Sequence, residues 1–588
     1  MHLQRLRISF WDAVQGRRAW RARAWPRRAW LGVVCAAACL MLEAERPAAA
    51  NEVTDWNNEL LLVFQQTSGN LVMGPPEVAR DIAIAGNAMM DAVNAATGST
   101  LPYTAYSGGA VAGANSSVAA ASAAYTALYG IFTNAAWQTP ISQVTGVGSD
   151  NSNVVLANSL VLPELKSFLD DQLSALGLPN PAGCSGSSSS LCAGYTLGVA
   201  AGNAITAARA QDGAVQAIQK GLLTYTPPGS GTTPGVYVPP ATRPAMYPTW
   251  GTVEPFGMTS AQLAEAQSKA PGPPPLTSTT YSSMLLQTEC QGSKAALGTL
   301  PQTLQAACAA AGYTQRTTRQ ANSALFWNDP GTTIQPPGHW LQIADTVLED
   351  QDSSLLESAE ISALLGDAET DAGIAAWSVK YANNLWRPIT AINDCVSSGG
   401  GIIWTNPNCA PGWTSLIVTP PHPDYVAGHP AFSGAAAVVL ADAFGTNAID
   451  FDSTSDYYCN GGTSNFDTNG LVVSCTLNGK TWYVANPSDC ADIVGGVIIG
   501  NSPLICPITE SFLSFTDASS GVDGASDSRI WGGIHTPFAV SDGLAIGNAI
   551  GEIVSANAGL PEVVPEPSAL LALLLPGLAL TATRQRKT

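Results

Sequence analysis

DAGIAAWSVKYANNLWRP, residues 371–388, holds Lys380 and, seven positions on, Arg387, followed at once by Pro388. Seven residues make about two helical turns, so the spacing predicts that both cationic heads project from one helix face. The residues around them, Ile374, Trp377 and Leu385, are apolar. Pro388 lacks an N–H and crowds the preceding turn, so it ends or kinks the helix. Two cations on a mostly apolar helix need an anion opposite them once that face is buried. A point charge beside a planar fork suits a tetrahedral oxyanion. Two solvated charges on a surface helix are the alternative, and this helix alone does not decide between them.

Two later stretches favour the oxyanion. In HPDYVAGHPAFSGAAAVVL, residues 422–440, Gly428-His429 stands just before a run of small and aliphatic residues. A glycine at a helix start lets backbone N–H groups approach an anion, and the helix dipole favours negative charge there. In SRIWGGIHTPFAVSDG, residues 528–543, Arg529 and His535 are six apart with Gly532-Gly533 between them. The chain has only five histidines, and three of them lie in these two stretches. A lone histidine is usually structural; histidines on glycine-linked turns beside arginines are candidate site residues.

Taken together, K-x6-R-P, G-H and S-R-x5-H resemble the signature of the vanadium-dependent haloperoxidases. That family shares its anion site with the acid phosphatases of the type-2 phosphatidic acid phosphatase superfamily. Trp377, three before Lys380, and the flanking DAGI and LWRP are similar to the fungal chloroperoxidases. FWNDP (326–330) and PPGHWLQIA (336–344) resemble segments of bacterial members. The similarity covers roughly residues 320–550.

The resemblance implies a cofactor, vanadate, bonded by His535. It implies Lys380, Arg387 and Arg529 against the equatorial oxygens, with the Gly428 N–H adding a hydrogen bond. His429 would be the acid/base, and Trp377, His422 and Asp329 would stand behind these groups, Asp329 as a partner of Arg529. Hydrogen peroxide, activated on a metal that acts as a Lewis acid, would be attacked by halide to give hypohalous acid for an organic acceptor. Where the family commonly has Ser-Gly-His, this chain has Ala427-Gly428-His429. One hydroxyl is therefore missing, a change typically worth about 1–3 kcal/mol. His422 stands where fungal chloroperoxidases have a Phe and algal bromoperoxidases a His, which implies bromide and iodide over chloride. A rigid surface turn at Pro421-His422-Pro423 is the alternative. Two other functions stay open: a phosphatase with His535 as nucleophile, and a weakly active, haloperoxidase-like extracellular protein.

The whole chain is 588 residues with a formal charge of −19, 46% hydrophobic and 12% charged, which is enough for a large core or two fused bundles. The acidic balance argues against nucleic acid as a partner. Residues 1–50 carry nine arginines, then LGVVCAAACLML (31–42) and PAAA (47–50). That order is expected of a secretory signal peptide, and its removal leaves a chain near −25. Ten cysteines follow it, in close pairs separated by 8, 18, 14, 16 and 16 positions. In an exported chain these predict five local disulfides, Cys184–Cys192, Cys290–Cys308, Cys395–Cys409, Cys459–Cys475 and Cys490–Cys506. A metal site is the alternative, disfavoured by the absence of C-x2-C and the scarcity of histidine.

Helical periodicity over 75–96 places Val78, Ile82, Ala85, Met89 and Val93 near one face, and 161–178 is a second helix. No long alternating strands occur, so the fold is expected to be mainly α. The resemblance implies a helix-bundle haloperoxidase and acid phosphatase-like fold with disulfide-stapled loop insertions. The chain divides into a helical half over 51–320, with a Pro/Gly-rich surface excursion at 226–278, and a catalytic half over 321–560. The polar stretch 452–490 is expected to hold a hairpin turning at Asn478-Gly479, and its aspartates lack EF-hand spacing. The end, VPEPSALLALLLPGLALTATRQRKT (564–588), resembles the PEP-CTERM sorting signal of Gram-negative bacteria. It implies membrane-bound sorting machinery and delivery beyond the inner membrane.

Overall fold

The computed structural model describes residues 51–561 and 563 apart from 69–72, 103, 134–160, 219–224, 232, 241–243, 331–332 and, between 456 and 507, those outside six short strands. The signal and sorting segments, and Cys459, Cys475, Cys490 and Cys506, lie outside the described residues or carry no described side chains.

The architecture is mainly helical. The first half supplies α1 (Glu52–Ser68), α2 (Pro75–Thr97), α3 (Ser116–Thr133), α4 (Leu162–Ala175), α5 (Ser190–Ala208), α6 (Ser260–Gln267), α7 (Thr279–Gln291) and α8 (Gln302–Ala310). The second supplies α9 (Thr318–Phe326), α10 (Gln335–Asp350), α11 (Leu355–Asn383), α12 (Pro388–Asn393), α13 (Gly428–Ala443), α14 (Phe515–Ser520), α15 (Ala525–Trp531) and α16 (Pro537–Ala558). Strands are short. Val396–Gly399 pairs antiparallel with Ile402–Thr405, and Phe451–Ser455 with Ile508–Phe512. Val472–Leu477 pairs antiparallel with Lys480–Val484, Leu477 opposite Lys480, and the expected turn at Asn478-Gly479 lies outside the described residues.

α2 carries the expected apolar face, and Asn87, Asp91 and Asn94 on its other sides are buried as well. It is wedged between neighbours rather than lying on a surface. α11 is the axis of the molecule. Ser354 caps its start and Glu357 closes the capping box. Its first half packs on α2 so closely that a Cβ on Gly366 would stand 2.6 Å from the Cα of Ala83. Its second half belongs to another cluster, built from Trp377, Phe432, Ile546 and Ile550 of α11, α13 and α16.

α13 and α16 are equally close. Gly543, Gly547 and Gly551 recur every fourth residue and face the backbone of Ala427, Ala431 and Ala435. A Cβ on Gly547 would come 2.3 Å from the Ala431 carbonyl oxygen. Backbone contact of this kind fixes the two helices that flank the Gly-His and Arg-x5-His blocks.

Two expectations change. Residues 226–278 are not a surface excursion: Tyr237, Tyr247 and Trp250 are buried, and the Met246 N–H donates to the Pro421 carbonyl at 2.8 Å. Those aromatic pegs outweigh the Pro/Gly composition that suggested a solvent loop. Lys380 and Arg387 also do not share a helix. α11 stops at Asn383, and Asn384 takes the left-handed conformation with φ 49°. Arg387 is extended at φ −77°, ψ 154°, just before α12 opens with Pro388. A residue preceding proline is driven out of the helical region, which is why the seven-residue spacing does not follow a helix face. Disulfides Cys184–Cys192, Cys290–Cys308 and Cys395–Cys409 are formed as the spacing predicted.

Candidate functional site

Lys380 sits in the last turn of α11 with no solvent exposure. Its Nζ donates to the Pro423 carbonyl at 3.0 Å, to that of Asp424 at 3.4 Å and to that of Val426. Arg387 is anchored by the same loop. Nε donates to the His422 carbonyl at 2.6 Å, and Nη2 to the His422 Nδ1 at 2.9 Å. Nη1 donates to the Ile534 carbonyl at 2.8 Å and to His535 Nε2 at 3.0 Å. The loop 422–426 thus gathers two cations that the helix periodicity alone would not have brought together.

Arg529 reaches the site from α15. Its Nη1 donates to His429 Nε2 at 3.2 Å, its Nε to the Ser528 hydroxyl at 2.9 Å, and its Nη2 contacts the Ala324 carbonyl at 3.5 Å. Gly428 and His429 open α13, with Ala427 at its N-cap. A Cβ on Gly428 would stand 3.3 Å from Trp377 Cζ3, so the helix start is pressed against that indole. Trp377 donates from Nε1 to the Met246 carbonyl at 3.1 Å, and its ring packs 4.9 Å from that of His422. His422 is buried, not part of a surface turn.

His535 follows the left-handed Gly533 and precedes the Thr536 cap of α16. Its Nδ1 is 2.7 Å from Asp424 Oδ1, and the Thr536 hydroxyl donates to Asp424 Oδ2 at 2.8 Å. The sequence reading passed over Asp424, which lies 111 positions from its partner. No local pattern marks it.

Asp329 differs from expectation. Its carboxylate pairs with His339, Oδ1 lying 3.2 Å from Nδ1, while His339 Nε2 meets the Ser453 hydroxyl at 2.9 Å. It acts on Arg529 through charge alone: burial pulls the guanidinium down to about 9, and Asp329 opposes the shift. His339 lies in the PPGHW block, where the resemblance implies no role for it.

Electrostatics define what this pocket can hold. Burial pushes Lys380 well below its ordinary value, and Arg387 adds to the shift. Burial, followed by neighbouring cations, likewise depresses His422, His429 and His535, so all three imidazoles are neutral near pH 7. Burial raises Asp424 to about 6 against the pull of Arg387, Thr536 and Lys380. The hydrogen bonds described for Lys380, Arg387 and Arg529 run to carbonyls, a hydroxyl and imidazole nitrogens. Asp424 and Asp329 act on these groups through charge, and an anion among the cations would further offset the cost of burying them. The chemistry that fits is capture of a tetrahedral oxyanion among neutral imidazoles. Beside this pocket a cleft of 380 Å³ is lined by Tyr237, Lys294, Ile417, Thr419, Pro420 and Arg387.

Residues 360–559 match the family model described as the VCPO second helical-bundle domain. The vanadium chloroperoxidase of Curvularia inaequalis is 30% identical over 135 residues, 21% of this chain and 22% of that protein. The alignment therefore spans about a fifth of that relative's length. In fold, the chain is similar to the first bacterial vanadium-dependent iodoperoxidase of known crystal structure. The TM-score is 0.56 and the identity 19%, covering 89% of this chain and 100% of that one. A holo-type bacterial vanadium-dependent chloroperoxidase gives a TM-score of 0.50 at 14% identity, covering 87% and 98%. The architecture of this protein is that of the vanadium haloperoxidase structures.

Proposed function

We propose that this chain is a vanadium-dependent haloperoxidase that oxidises halide with hydrogen peroxide to hypohalous acid. One observation carries the reading: the buried His535 ring holds Nδ1 2.7 Å from the Asp424 carboxylate and Nε2 3.0 Å from the Arg387 guanidinium. Lys380 and Arg529 share that pocket through the charges they exert on His535. A neutral imidazole nitrogen among fixed cations is the donor set that vanadate requires, one ring nitrogen for the metal and fork and point charges for its oxygens. When bound, vanadate supplies Lewis-acid activation of hydrogen peroxide without changing oxidation state.

The remaining work falls to the chain. Lys380, Arg387 and Arg529 hold and polarise the oxyanion oxygens. The Gly428 N–H at the start of α13 adds a donor aligned with the helix dipole. His429, neutral and steadied by Arg529, takes and returns a proton at a ring nitrogen. Trp377 and Phe432 keep one wall apolar and dry. The cleft at Arg387 gives space for halide and an organic acceptor. Bromide and iodide are favoured over chloride, because a polar His422 ring touches Arg387 and Ala427 lacks the hydroxyl that would strengthen activation. Export to the cell exterior, with a C-terminal sorting segment, is part of the same reading and is supported by the disulfides among the described residues.

The test is to load the purified mature chain with orthovanadate and measure hydrogen peroxide-dependent oxidation of iodide, bromide and chloride beside hydrolysis of a phosphate ester. Halide oxidation that His535→Ala abolishes is the expected result. Phosphate-ester turnover without halide oxidation would overturn it in favour of a histidine nucleophile on the same cradle.

A further inference from the structure

A histidine that is to donate an Nε2 lone pair must keep its proton on Nδ1, and something must hold it there. In this chain Asp424 Oδ1 lies 2.7 Å from His535 Nδ1, inside the protein and away from solvent. Its second oxygen accepts from the Thr536 hydroxyl at 2.8 Å, so the carboxylate cannot swing away from the ring. Its backbone is fixed as well: the Asp424 N–H donates to the Leu385 carbonyl at 3.0 Å, and its own carbonyl accepts from Lys380 at 3.4 Å. The Arg387 guanidinium lies 3.0 Å from Nε2 and 3.5 Å from Nδ1, so it does not choose between the ring nitrogens. The carboxylate does: an ionised Asp424 only accepts, so its contact places the ring proton on Nδ1.

We propose that Asp424 is the positioning residue of this site, holding the His535 proton on Nδ1 and presenting Nε2 to the oxyanion pocket. The proposal rests on His535 being the oxyanion ligand. It goes further in making one loop the organiser of the whole centre. Residues 422–426 fix Lys380 and Arg387 through carbonyls and His535 through the carboxylate. The one carboxylate in the loop hydrogen-bonds the imidazole, and it acts on Lys380 and Arg387 through charge.

The experiment uses the full mature chain with its histidines ¹⁵N-labelled, free of vanadate, peroxide and halide, with the His535 signal assigned by its loss in His535→Gln. The parent is expected to show His535 protonated at Nδ1 only. Asp424→Ala is expected to yield a mixture of tautomers and to weaken orthovanadate binding, measured by equilibrium dialysis, by about 10–100-fold. Asp424→Asn still offers an amide oxygen to Nδ1–H and is expected to retain the parent tautomer and recover most of the affinity. Thr536→Val loses only the brace on Oδ2, and a several-fold loss of affinity is expected. Should Asp424→Ala fail to fold, Thr536→Val decides the matter on vanadate affinity, with Asp424→Asn as the rescue control. An unchanged tautomer in Asp424→Ala, vanadate affinity within about twofold of the parent in Asp424→Ala or Thr536→Val, or loss of the parent tautomer in Asp424→Asn overturns the assignment. If the parent itself binds no vanadate, the haloperoxidase reading falls, whereas the tautomer measurement still decides the role of Asp424.

Discussion

Glu289 offers a direct measurement of what burial costs this protein. It lies on α7, about 1% exposed, with Oε1 accepting from Asn406 Nδ2 at 2.8 Å. Burial pushes its carboxyl up from 4.5 to about 7, with the Asn406 bond acting in the opposite direction. The folded value is above the unfolded one. Below about pH 4.5 both states hold the proton and the group is neutral in its effect on stability. Between that point and pH 7 the unfolded state ionises while the folded state does not, so stability drains away as pH rises. Above 7 the deficit is constant. At about 1.36 kcal/mol per tenfold change in proton affinity, the rise from 4.5 to about 7 gives a ceiling of about 3 kcal/mol. Glu289→Gln keeps the shape and the acceptor but never ionises. Urea unfolding followed by tryptophan fluorescence, disulfides intact, should find variant and parent alike near about pH 4 and the variant more stable by up to about 3 kcal/mol near pH 8. The difference between the two isolates this one group from every other titration. A gap that does not change with pH, or one favouring the parent at pH 8, would show that the carboxylate is not desolvated as its surroundings indicate.

Gly547→Ala places a methyl group 2.3 Å from the Ala431 carbonyl oxygen. About 1 kcal/mol of helix propensity is gained against overpacking of about 1–3 kcal/mol, so the thermal midpoint should fall and orthovanadate affinity should drop as α13 shifts; a raised midpoint would contradict the close packing. His422→Phe removes the acceptor for Arg387 Nη2 and makes the wall beside Trp377 apolar. Chloride turnover relative to bromide, at fixed pH and peroxide, should rise several-fold, and an unmoved ratio would detach His422 from halide choice.

The parts of the site that could be seen in the sequence are those whose chemistry is local. Gly428-His429 at a helix start and Arg529 with His535 across a glycine turn announce themselves within a few residues, because backbone geometry and side-chain chemistry are set together. The joint placement of Lys380 and Arg387 was anticipated for the wrong reason. They converge because a loop of carbonyls solvates both, not because a helix presents both, and the restriction that Pro388 imposes on Arg387 was the available cue. Asp424 and the Asp329–His339 pair carry no such cue. Each becomes meaningful only through a contact made by folding, and an aspartate in a Pro-rich loop looks like an ordinary turn residue. In the fold, the apolar stripe of α2 was evident, while the burial of 226–278 depended on where Tyr237, Tyr247 and Trp250 insert.

The shared axis α11 bears on how this protein can be cut and rebuilt. The segment that carries the family signature begins at residue 360, five positions into that helix, whereas the surface holding the helix in place is α2, nearly three hundred residues earlier in the chain. A fragment trimmed to the signature would expose the face that Gly366 lays against Ala83 and would leave Lys380 on an unsupported rod. The recognisable portion and the foldable portion are different objects. Grafting this chemistry onto another scaffold would mean transplanting the distant half as well, or designing a new wall to replace it.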